Sequence, residues 1–144
     1  MSCVGRDIAK AIVDDCNATT WSQDCKFSSV YVPREDLESL RGLAVTVVYM
    51  GQRAVPDSRA AWRHEYDIDI GVQKKLTTDT DDEADYYSDL LDAIADYWKT
   101  HTPGTTAARL VKSEWINPYV PDHMTTNRVF TGVIRLTFRL VRSN

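Results

Sequence analysis

The chain has 144 residues, enough for one domain that buries about two-thirds of its unfolded surface without metals or disulfides. Its composition, 43% hydrophobic and 26% charged, is that of an ordinary globular protein, and no apolar run approaches the length of a membrane span. A formal net charge of -4, with neither sign gathered in a long block, argues against a non-specific nucleic-acid binder, which would carry a basic excess.

Cys3, Cys16 and Cys25 form no CxxC pair, and their odd number argues against a closed disulfide framework. Cys16 reads as a small apolar residue on a helix, in a reducing compartment. The opening MSCVGRDIAK has no apolar signal core, so synthesis and folding in a cytoplasm are expected.

Residues 4 to about 18 predict the first helix, with Val4, Ile8, Ala11, Ile12 and Cys16 at helical spacing. Trp21 and Phe27 are expected to pin the polar stretch that follows. Residues 29 to 33, SVYVP, suit a brief edge strand stopped by proline. Residues 43 to 50, LAVTVVYM, form a strand apolar on both faces, expected near the sheet centre. Residues 51 to 61, GQRAVPDSRAA, read as a connection too long for a usual hairpin turn and therefore as a candidate functional loop.

The clearest signal is WRHEYDIDIGVQKKL, residues 62 to 76. Trp62, His64, Tyr66, Ile68, Ile70 and Val72 fall on one face; Arg63, Glu65, Asp67, Asp69, Gly71 and Gln73 fall on the other. Strict alternation of this kind predicts a strand buried on one side, and a slip of one residue would bury three carboxylates. Thr80 and Glu83 then form a capping box for a second helix running to about Thr100, with Tyr87, Leu90, Leu91, Ile94 and Trp98 on one stripe. Residues 110 to 116 are a weaker strand, and 117 to 127, NPYVPDHMTTN, a second long loop. Residues 129 to 141 close the chain as a strand with Phe130, Ile134, Leu136, Phe138 and Leu140 inward and Thr131, Arg135, Thr137 and Arg139 outward. The order α-β-β-β-α-β-β predicts a single α+β domain over residues 1–144: a mostly antiparallel sheet of four to five strands with two helices on one face.

Glycine-rich phosphate loops (GxGxxG, GxxxxGK(S/T)) and the GxSxG nucleophile motif are absent, and His64, His101 and His123 show no metal-ligand spacing. No catalytic residue, metal or cofactor is assigned. Three readings are open for Glu65, Asp67 and Asp69: a solvated face, pairing with the equally spaced Arg135 and Arg139, or a divalent ion bridging two carboxylates, the third ranking lowest. The same charge complementarity can also operate between copies of the chain. Tyr119, Val120 and Met124 make the second loop unusually apolar, as if folded over a core edge or anchoring a protein interface.

The element order, together with VYVPRE, LAVTVV, HEYDIDIGVQKKL and the closing FTGVIRLTFRLVR, resembles the tail-terminator (tail-completion) proteins of long-tailed bacteriophages over nearly the whole chain. These are fold-bearing segments rather than catalytic ones. The resemblance implies a non-enzymatic virion protein forming a ring, usually a hexamer. Such a ring stops polymerisation of the tail tube protein and offers a surface to neck or connector proteins at the head side. Genomic DNA would pass the lumen without sequence-specific binding, and no membrane is involved. Ring contacts are head-to-tail, so one edge must complement a different edge. On that reading Glu65, Asp67, Asp69, Arg135 and Arg139 are expected at subunit contacts or the lumen. Arg53, Asp57 and Arg59 on the first long loop, with Tyr119 and His123 on the second, are the expected axial contacts. These positions rest on charge and loop placement, since the resemblance carries none of them over individually. The alternatives are a neck or head-completion protein at the head–tail junction and, in another class, a small cytoplasmic enzyme or ligand-binding domain, which would need a pocket of convergent polar groups.

Overall fold

The structure is a computed structural model that describes residues 4–19, 21, 27–30, 43–75, 80–104, 107–117 and 129–143. In chain order the elements are α1 (Val4–Asn17), β1 (Phe27–Val30), β2 (Leu43–Ser58), β3 (Ala61–Lys75), α2 (Thr80–Trp98), β4 (Arg109–Asn117) and β5 (Val129–Ser143). The five strands form one sheet in the order β1-β2-β3-β5-β4. β1 runs parallel to β2, and every other neighbouring pair is antiparallel. The α+β architecture expected from the sequence is therefore present.

The alternation in β3 decides the layering. Tyr66, Ile68, Ile70 and Val72 are fully buried, and the register sets them beside Phe138, Leu136, Ile134 and Gly132 of β5. Val45 and Val47 of β2 join the same face opposite Val72 and Ile70. Ile8, Ala9, Ile12 and Cys16 of α1 and Leu90, Leu91, Ile94 and Trp98 of α2 close over it as one cluster. Each fully buried Leu or Ile contributes roughly 1.5–3 kcal/mol relative to exposure. In α1 the buried stripe includes Ala9, while Ala11 is only half-buried. Gly5 is required where α1 meets β2, because a Cβ there would run into the Tyr49 ring.

Phe27 is buried as expected, and β1 occupies the edge, beginning two residues earlier than the apolar run suggested. Asn17 fixes it: its side-chain amide donates to the Phe27 carbonyl (3.1 Å) and its carbonyl accepts from the Phe27 N–H (2.8 Å). Trp21 donates from Nε1 to the Cys16 carbonyl (2.8 Å) and packs between Phe27 and Tyr97, joining the two helices.

The largest correction concerns residues 51 to 61. They are not a loop: β2 continues to Ser58, a two-residue turn at Arg59 and Ala60 follows, and β3 starts at Ala61. Gly51, with φ at 148°, takes the bulge between Tyr49 and the rest of the strand, a conformation that favours glycine. Pro56 is tolerated because this part of β2 lies at a sheet edge. Arg53 and Asp57 are thus strand residues, and Arg59 sits in the hairpin turn. Tyr119 and His123, with the rest of the second predicted loop, lie outside the described residues.

Candidate interaction surface

The face of the sheet away from the helices carries the charges, and strand register explains their meeting. Asp69 is opposite Arg135, Asp67 opposite Thr137, and Glu65 opposite Arg139 on β5; Arg53 is opposite Glu65 on β2. Arg135 grips Asp69 with two hydrogen bonds, Nε to Oδ1 at 2.7 Å and Nη2 to Oδ2 at 3.0 Å, the planar fork geometry that strengthens such pairs. Arg139 donates from Nε and Nη2 to Glu65 Oε2 at 3.1 and 2.8 Å. Arg53 donates to both oxygens of Asp67 (2.7 and 3.3 Å) and lies 3.6 Å from Glu65. Thr137 Oγ1 completes the set by donating to Asp67 Oδ1 at 2.8 Å.

The arginines hold the carboxylates ionised. The hydrogen bond from Arg139 lowers the pKa of Glu65 against a smaller opposing effect of burial. For Asp67 burial pushes upward most strongly, but the combined hydrogen bonds from Arg53 and Thr137 and the nearby positive charges leave it below the usual value. All five charged residues singled out in the sequence are therefore brought together within one chain, through the cross-strand pairing considered there. Arg53, expected on a loop, joins them. Among the described residues no group of three His, Cys, Asp or Glu side chains is arranged to hold a metal ion.

His64 lies on the opposite face, stacked on Tyr66, with Nδ1 3.2 Å from Gln52 Oε1. A concavity of about 410 Å³ at the end of α2 is lined by Trp98, Lys99, Thr100, His101, Thr102, Arg109 and Leu110. Its histidine is engaged locally: a carbonyl only accepts, so Nδ1 of His101 donates to the Tyr97 carbonyl (2.8 Å), and the ring stacks on Tyr97.

Apolar exposure follows a different map. Met50 and Val55 on β2, Val111, Trp115 and Ile116 on β4, Trp62 on β3 and Val141 on β5 are all substantially exposed. Most of them are not evident from the sequence, because the residues around Val55 read as a loop and β4 lacks clean alternation. The available signal is local: Val55 lies in the alternation that resumes after the bulge at Tyr49/Gly51, whereas Val111 is itself the residue at a bulge. No helix among the described residues is long and apolar enough to cross a membrane. No known family model and no curated protein matches this chain.

Proposed function

We propose that this chain is a structural virion protein of a long-tailed bacteriophage that assembles as a ring, caps the tail tube, ends its polymerisation and offers a docking surface to the neck. The observation that carries this reading is the distribution of exposed apolar side chains. Apart from Tyr86 on α2, they gather on β4, on the β2–β3 hairpin beyond Tyr49 and at the end of β5 beside it, whereas Glu65, Asp67 and Asp69 are paired within the chain. Exposed apolar edges on a small domain are a liability unless another chain covers them. A ring of identical subunits covers two different edges at once. The resemblance of the sheet-forming segments to tail-terminator proteins supplies the hexamer, the virion setting and the tube as partner. A net charge of -4 suits a lumen through which DNA slides with few phosphate contacts.

The test is assembly with purified partners. Added to polymerising tail tube protein, the chain should appear as a ring at one tube end in negative-stain images and should shorten the tubes. Binding to portal or adaptor protein alone, with tube growth unaffected, would move the assignment to a neck or head-completion protein.

A further inference from the structure

Two strand edges are open among the described residues. The described part of β1 accompanies β2 over Val45–Val48, and none of the described strands lies on the outer side of β2 from Gly51 to Ser58. On the other side β4 is outermost over Arg109–Asn117. We propose that the open edge of β2 in one copy pairs antiparallel with the outer edge of β4 in the next copy, displaced by four residues, so that the sheet continues from subunit to subunit. The proposal rests on the ring reading for closure and deepens it by naming the two edges and their register.

Strand polarity is the first support. β2 and β4 run in opposite directions within the sheet, so a head-to-tail neighbour meets β4 with an antiparallel β2. Charge is the second. On the helix-free face the row through Arg135 alternates in sign, from Asp69 on β3 to Arg135 on β5 to Glu114 on β4, and Arg53 on β2 stands beside Glu65. That row ends negative at Glu114, although Arg109 and Lys112 on the same face of β4 are positive. Arg53 is level with Glu65 and Glu114 with Asp69, four residues apart along β3. Sliding the neighbour by that amount, about 14 Å at strand spacing, sets its Arg53 against Glu114 and continues the alternation. Glu114 has a competing contact with Lys112 at 3.5 Å, but both side chains are well exposed and such pairs hold weakly.

Space is the third support. β1 would obstruct pairing in an undisplaced register, because it flanks Val48, which is level with Asp69 and hence with Glu114. After the four-residue displacement β1 lies beyond Asn117, the last described residue of β4. The open length of β2 then faces the whole of β4, and Val55 comes beside Val111 and Lys112. Closing a sheet into a ring demands a stagger of this kind.

Disulfide trapping tests the contact. The register places Ala54 of one copy opposite Ser113 of the next; in a single chain β3 and β5 separate them, too far for a bond. In a chain carrying Cys3→Ser and Cys25→Ser, the pair Ala54→Cys and Ser113→Cys should oxidise into a ladder ending at the ring. The pair Gln52→Cys and Leu110→Cys, which reports the undisplaced register, should yield at least about tenfold less product. Rings without the Ala54–Ser113 cross-link would overturn the edge contact and leave the ring reading standing. Cross-linked open filaments would sustain the contact and remove the ring. A sample that stays monomeric with and without tail tube protein would overturn both.

Discussion

The two ends of the central hairpin obey the same alternation and have opposite fates. From Tyr66 to Val72 the inward side chains of β3 are fully buried beneath α1 and α2; four residues earlier Trp62, on the same face, is 40% exposed. The strand does not change between these points, but its cover does. Alternation therefore reports which side chains share a face, whereas burial depends on what is packed against that face. The covered end supplies stability, and the uncovered end supplies surface.

The sharpest way to break this contrast is to truncate one side chain at each end. Trp98 is buried against Phe138 and Tyr97, so Trp98→Ala should cost about 3–5 kcal/mol in urea unfolding. Val55→Ser, on the projecting hairpin, should change stability by no more than about 0.5 kcal/mol. It should nevertheless weaken self-association in sedimentation. Similar unfolding losses for the two variants would show that the hairpin belongs to the cooperative core.

A second contrast lies within the charged face. Asp69 is almost wholly buried and held by the Arg135 fork, while the Arg53 side chain is 55% exposed. Asp69→Ala leaves a partly exposed guanidinium without its partner and should cost about 1–3 kcal/mol. Arg53→Ala should cost less than about 1 kcal/mol. Equal losses would mean that register, rather than burial, sets the value of these pairs.

Between these lies Tyr66, whose hydroxyl is buried and finds no hydrogen-bond partner among the described residues. Tyr66→Phe removes a desolvated group while keeping the ring stacked on His64. It should raise stability by about 1 kcal/mol. A loss of similar size would reveal a bound water or partner for that hydroxyl.

Much of the covered end was legible because one rule governed each element. Ile68, Ile70 and Val72 alternate with polar residues, and Leu90, Leu91, Ile94 and Trp98 share a helical stripe. Equal spacing made pairing of Glu65, Asp67 and Asp69 with Arg135 and Arg139 one of three open readings, of which the β3–β5 register realises Asp69–Arg135 and Glu65–Arg139. The projecting end was not legible because two rules conflicted. Gly51, Pro56, Asp57 and Ser58 are turn formers, yet all lie in β2, and the actual turn at Arg59 and Ala60 contains none of the usual residues. An edge tolerates proline and a bulge tolerates glycine, so local propensity gave way to the pairing offered by β3. In β4 the bulges at Val111 and Ile116 shift the alternation and made a strand of nine residues look weak.

The smallest effect tests whether the charged face stabilises the fold at all. Glu65 and Asp67 have folded-state pKa values below their ordinary 4.5 and 3.8. The unfolded chain therefore binds protons first as pH falls. The contribution of these pairs is complete above the ordinary values and is lost progressively as pH drops through the lowered ones. Solvent screening at the Arg53 end keeps it small. Urea midpoints should thus be insensitive to these two groups from pH 6 to 8 and fall below about pH 4.5. Asp67→Asn should flatten part of that decline, and 1 M salt should weaken the exposed Arg53 pair more than the Asp69–Arg135 fork. An Asp67→Asn profile parallel to that of the parent chain would mean that the carboxylate gains nothing from folding. The ladder would then act through register alone, holding β3 and β5 in the one alignment that buries Ile68 and Ile70.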